Sequence, residues 1–122
     1  PYTERCFDLL NTMFPNRIKL IKGDSTQTVP SFNTHDYDLV HIDGGHFGDI
    51  PFHDLNNAYN QLLSDKGFII YDDTTYKNSM LLNKGLRKCQ NIFKKFAKEK
   101  SFQLLKICNG STISYINKSS II

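Results

Sequence analysis

Three apolar runs of this sequence end in acid: RIKLIKGDS at Asp24, YDLVHID at Asp43, and FIIYDD at Asp72 and Asp73. One Asp after a strand is ordinary, because Asp caps helices and starts turns. If all three runs are strands of one parallel sheet, however, the acids collect at its carboxyl edge, where ligands of open α/β sheets bind. Carboxylates crowded there repel one another unless a cation or protons neutralise them. Hard oxygen donors suit Mg²⁺, Mn²⁺ or Ca²⁺, and an Asp pair with a third carboxylate forms half a coordination shell open to substrate. His46 follows Asp43 by three residues across Gly44-Gly45, a turn loose enough to bring its ring to the same space. Histidine titrates near neutrality and can take a proton from a hydroxyl.

The elements that must position these residues are legible from periodicity. Residues 2–14 place Cys6, Leu9, Leu10 and Met13 at helical spacing, and Pro15-Asn16 ends that helix. Residues 17–22 alternate apolar and basic side chains, as a half-covered or edge strand does. Gly23-Asp24-Ser25 breaks the strand, and Ser25 or Thr26 could cap a short helix reaching Phe32. Residues 37–42 read as a strand and 50–63 as a helix with Leu55, Ala58, Tyr59 and Leu62 on one face. After a turn at 64–67, residues 68–71 are apolar on both faces, the mark of a buried central strand. A long helix spans about 79–100, its stripe made of Leu82, Leu86, Cys89, Ile92, Phe93 and Phe96. Two β-rich runs, 102–108 and 111–117, meet at Asn109-Gly110, where both positions tolerate positive φ, a strong hairpin signal. The order is α-β-α-β-α-β-α and then a β-hairpin, which implies an α/β fold: a mostly parallel, right-handed sheet closed by one antiparallel strand.

Composition sets the outer limits. At 122 residues the chain can build one domain with one modest core. With 39% hydrophobic and 22% charged residues it fits a soluble globular protein and not a disordered one. No apolar run could span a bilayer, so no membrane partner is expected. A net charge of +3 comes largely from one late helix and implies no nucleic-acid partner. There, Lys84, Arg87, Lys88, Lys94, Lys95, Lys98 and Lys100 read as a solvated flank. Cys6, Cys89 and Cys108 are far apart without metal spacing and read as buried thiols in a reducing, cytoplasmic setting. The chain opens on Pro1 and enters a helix almost at once, as a piece of a longer parent would.

YDLVHIDGGH, a helix, and then LLSDKGFIIYDDT together resemble the carboxyl-terminal half of class I S-adenosylmethionine-dependent methyltransferases. Within that group the likeness is to metal-dependent O-methyltransferases of the macrocin and catechol types, over roughly residues 18–73. The resemblance implies that Asp43, Asp72 and Asp73 are metal ligands (Mg²⁺ first among candidates) and that His46 is the general base. It implies that Asp24 and Ser25 contact the adenine of S-adenosylmethionine, with Asp43 also on the cofactor. The acceptor would be a hydroxyl of a small molecule or sugar. The family's glycine-rich loop after its first strand and the acid ending its second are not in these residues. The resemblance therefore implies a single partial domain over 1–122 that lacks the first two strands. In the full fold those strands separate 17–22 from 37–42. Their absence leaves a strand edge to be covered by more chain, by a rearranged 17–22, or by a homo-oligomer completing the sheet.

Other readings stay open. The chain could be a non-catalytic metal-binding or assembly module derived from the same fold. A phospho-acceptor receiver domain also gathers acids around Mg²⁺, but there the acidic pair ends the first strand, whereas here Asp43 comes before Asp72-Asp73. His41, inside a strand, reads as a packed or hydrogen-bonded residue. His53 and Asp54 are placed to support the site from behind, although helix-terminal electrostatics explains Asp54 equally well. Tyr76 could line a substrate pocket.

Overall fold

The computed structural model describes residues 2–72, 84–100, 105–106 and 114–117. Helix α1 covers Tyr2–Met13. It ends where Asn16 turns to φ 61° and the Arg17 amide donates to the Phe14 carbonyl at 3.2 Å. Asp24 caps the short helix α2 (Ser25–Thr28), which runs on into a 3₁₀ turn at Val29–Ser31. Strand β1 (Tyr37–Ile42) leads through the Asp43–His46 turn to α3 (Ile50–Asn57), and a π-helical turn (Ala58–Leu62) delivers the chain to β2 (Leu63–Tyr71). Helix α4 spans Lys84–Glu99, and two short strands follow, β3 (Leu105–Lys106) and β4 (Ser114–Asn117).

The four described strands form one sheet in the order β1-β2-β4-β3. β1 and β2 are parallel, while β4 runs antiparallel to both β2 and β3. β3 therefore shares the direction of the parallel pair. Between the two expected carboxyl-terminal runs the described pairing is short, Leu105 with Tyr115 and Lys106 with Ser114, and the link at 109–110 lies outside the described residues.

The β1–β2 ladder shows why 64–67 looked like a turn. Tyr37 pairs with Leu63, but Leu39 already pairs with Phe68, so residues 64–67 bulge from the ladder. Gly67 is required at this bulge, because a Cβ there would overlap the Leu63 side chain and stand 2.9 Å from the Tyr37 carbonyl oxygen.

The core lies where α3, the π turn and α4 cover the sheet. Leu55, Leu63, Ile69 and Phe93 are fully or almost fully buried, joined by Ile42, Ala58, Tyr71, Phe96 and Ala97. The amphipathic stripe expected of α4 is confirmed at Cys89, Phe93 and Phe96, with Ile92 packed at its margin. Ala97 joins it one position past the expected set. Leu82 lies outside the described residues. On the opposite flank Lys94, Lys95, Lys98 and Lys100 are exposed, the solvated face anticipated from the charge pattern.

One expected strand is missing. Residues 17–22 form no strand. A strand needs a neighbour to complete its ladder, and β1 is the outermost strand of the described sheet on that side. The segment is instead tied to α1 by the Lys22–Glu4 ion pair at 2.5 Å. The apolar stripe of α1 is also uncovered: Leu9 is 63% exposed and Met13 60%. Cys6 is half-buried and Cys89 buried, both as free thiols, and Cys108 lies outside the described residues. Among the described residues no helix is long and apolar enough to cross a membrane.

Candidate functional site

The site is built by two parallel strands that end together. Ile42 pairs with Tyr71, and the Asp72 amide donates to the Ile42 carbonyl at 3.0 Å. Asp43 and Asp72 therefore leave the sheet side by side at the same level. β2 is fixed from behind: the buried Tyr71 hydroxyl donates to the Pro51 carbonyl at 2.9 Å, and its ring lies against Phe93, centroids 5.4 Å apart. A buried hydroxyl of this kind needs a partner, and finding it on α3 locks the helix to the strand end.

Asp43, Gly44, Gly45, His46, Asp72 and Cys89 line one small cavity of about 10 Å³, with Pro51, Asp54 and Tyr71 among its other walls. The structure thus brings three of the expected site residues, Asp43, His46 and Asp72, to one place; Asp73 lies outside the described residues. Asp43 is exposed, and His46 and Asp72 are half-buried. Among the described residues no group of three or more His, Cys, Asp or Glu side chains could hold a metal ion. The donors described here thus do not make a metal site by themselves.

Beside this turn a cleft of about 260 Å³ opens between α2, β1 and α3. Its walls are apolar (Val29, Val40, Ile42, Ala58 and Leu62), and its polar groups include Ser25, Asp43 and Asp54. An apolar slot with a few convergent polar groups is the usual form of a small-molecule site. A second lobe of about 410 Å³ shares Ser25, Val29, Val40, His41 and Leu62 and extends along Tyr37 and Leu39 toward Ile21.

Asp24 and Ser25 behave differently despite being adjacent. Asp24 Oδ1 accepts hydrogen bonds from the Thr26 amide at 2.9 Å and the Thr26 hydroxyl at 2.8 Å. Those bonds, the hydroxyl's first, hold the Asp24 carboxyl below the usual carboxylate range. Asp24 is thus the cap that Ser25 or Thr26 was expected to supply, and it lines neither lobe. Ser25 lines both lobes and donates its hydroxyl to Asp54 Oδ1 at 2.6 Å. The other Asp54 oxygen stands where a side chain at Gly44 would begin. Asp54 therefore joins the two turns from behind, a support that the helix-terminal reading of this residue did not specify. The sequence separation of 29 between Ser25 and Asp54 leaves no local signal of that contact. His41, expected to be packed, is exposed and lines the cleft, because the β1 edge it sits on has no neighbouring strand among the described residues. His53 is also exposed and meets the Phe52 ring edge-on.

A parallel strand pair whose carboxyl ends carry acids beside an apolar cleft defines an α/β ligand-binding domain of the open-sheet class. A family model described as a methyltransferase domain matches residues 3–74, more than half of the chain. The chain belongs to that methyltransferase-domain family. Solved structures that share the fold include the following two. A protein from Corynebacterium glutamicum is 13% identical with a TM-score of 0.75, the alignment covering 95% of this chain and 56% of that one. A candidate caffeoyl-CoA O-methyltransferase from Staphylococcus aureus is 18% identical with a TM-score of 0.66, covering 95% of this chain and 58% of that one. The chain thus spans a little over half the length of either structure. No curated protein matches it in sequence.

Proposed function

We propose that the full protein transfers the methyl group of S-adenosylmethionine to a hydroxyl of a small molecule or sugar. The observation that carries the reading is the convergence of Asp43, His46 and Asp72 on one cavity at the carboxyl ends of β1 and β2, in a chain of the methyltransferase-domain family. The adjoining cleft, with apolar walls and Ser25, His41, Asp43 and Asp54 among its polar groups, supports placing the flat adenosyl base there. When bound, S-adenosylmethionine supplies a methyl group on a positively charged sulfur.

The rest is the work of this chain's residues. His46 would take the proton from the acceptor hydroxyl that receives the methyl group. Asp43 and Asp72 orient the acceptor and balance positive charge at the strand ends. The cleft walls hold the reactants together, which is the largest gain available to a direct displacement. Metal dependence, with Mg²⁺ the best match to carboxylate donors, is the finer part of the proposal. It requires Asp73 as a further ligand.

Calorimetric titration of S-adenosylmethionine and of Mg²⁺ into the full protein tests both levels. Cofactor binding, with methyl transfer falling about 10²- to 10⁴-fold in His46→Ala, is the expected result. Absence of cofactor binding overturns the enzyme reading and favours a non-catalytic module. Mg²⁺ binding that survives Asp72→Ala/Asp73→Ala overturns the metal assignment alone.

A further inference from the structure

We propose that Lys88 is a positioning residue for His46: from α4 it pins the turn that carries the imidazole at the cavity shared with Asp43 and Asp72. The inference rests on the methyl-transfer reading, which gives His46 its proton-accepting role. His46 follows Gly44-Gly45 and is followed, after Phe47, by Gly48. Gly48 adopts φ 53°, the left-handed region that glycine enters at little cost. A turn so rich in glycine gains little stiffness from its own backbone. The Ile50 amide donates to the Phe47 carbonyl at 3.2 Å, but that bond lies on the α3 side of His46. A base must stand within hydrogen-bond reach of the proton it takes, and misplacement by about 1 Å can cost a hundredfold in rate.

Lys88 supplies the tether. Its Nζ donates to the Gly48 carbonyl and stands 3.8 Å from Asp49 Oδ1. The bond to the carbonyl is charge-assisted and so of the stronger kind. The pair with Asp49, whose side chain is 83% exposed, adds little by itself. Asp49 stands at the N-cap of α3 yet makes no side-chain capping bond there, and its carboxylate faces Lys88 instead. The contact joins residues 40 apart in sequence, so it ties the turn to a separate element. That element is firmly seated: Cys89, next to Lys88, and Phe93, one turn further on, are almost wholly buried. Cys89 also lines the cavity with His46. α4 thus provides a wall of the cavity and holds the turn that brings the imidazole to it.

The test measures backbone order by ¹⁵N relaxation in the full protein, comparing wild type, Lys88→Met and Lys88→Arg. Methionine keeps an unbranched chain but removes the donor and the charge. In Lys88→Met the order parameters of His46, Phe47 and Gly48 are expected to fall from the rigid range near 0.85 to below about 0.6. Those of β1 and β2, the denaturant midpoint and the calorimetric affinity for S-adenosylmethionine should stay at the wild-type values. Lys88→Arg, which keeps a charged donor, should restore the order of the turn. A turn that stays rigid in Lys88→Met overturns the inference alone. So does a Lys88→Met protein that unfolds, loosens throughout or loses the cofactor, because Lys88 would then be merely structural. A wild type that does not bind S-adenosylmethionine overturns the methyl-transfer reading and the inference with it, however the turn behaves.

Discussion

The two sides of β1 differ sharply. Toward β2 its backbone is paired, Ile42 is buried, and beyond it Ile69 and Phe93 have almost no contact with solvent. Toward the amino-terminal region the strand edge has no described neighbour, Leu39 is 56% exposed, and α1 turns Leu9 and Met13 outward. Both regions carry apolar residues at regular spacing, so periodicity alone marks them equally. The difference lies in what is present to cover them: α3 and α4 on one side, and the thin segment of α2 and its 3₁₀ turn on the other.

The largest test of this contrast removes a large apolar side chain from each region. Phe93→Ala empties a fully enclosed position and should cost about 3–5 kcal/mol, read as a fall in the denaturant midpoint. Leu9→Ala, on the exposed stripe, should change stability by about 0.5 kcal/mol or less. Comparable losses at the two positions would show that α1 is covered in solution and would break the comparison. A smaller effect is expected at the β1–β2 bulge. Gly67→Ala sets a methyl group against Leu63 and the Tyr37 carbonyl and should cost about 1–3 kcal/mol through overpacking. An unchanged midpoint would mean that the bulge relaxes and that the well-packed side is less rigid than its burial suggests.

The same contrast explains what could be read from the sequence. YDLVHI, FIIY and the Cys89–Phe96 stripe were legible as elements because each pattern found its partner in the fold, although FIIY is buried only at Ile69 and Tyr71 and leaves Phe68 39% exposed. RIKLIK carried a strand pattern of similar clarity but formed none, since a ladder requires a second strand that no local pattern can supply. At the site, the meeting of Asp43 with Asp72 followed from strand logic, because parallel strands in register must end together. The Ser25–Asp54 bond did not, because the register between a capped turn and a helix is set by packing and leaves no spacing to recognise. Asp24 was read for its chemistry, yet its oxygen closes the first turn of α2, the bland role that Asp after a strand so often has.

That cap provides the finest probe of how the two regions are joined. The Thr26 hydroxyl and amide stabilise ionised Asp24, so its folded pKa lies below its unfolded value. A group lowered in this way contributes stability above the unfolded pKa, near pH 4, and loses it as the pH falls through the lower folded value. Asp24→Asn should therefore be less stable than the wild type at pH 6, with the pH-linked part of that gap closing below about pH 4. Asp24 is fully exposed, so the change will be small in the global midpoint and clearest in the exchange rate of the Thr26 amide. α2 reaches the core through the Ser25–Asp54 bond. If that bond is the principal tie, acid should loosen the Thr26 amide while leaving the amides of β2 protected. Joint loss of protection in α2 and β2 would instead mean that the amino-terminal region and the core unfold as one unit.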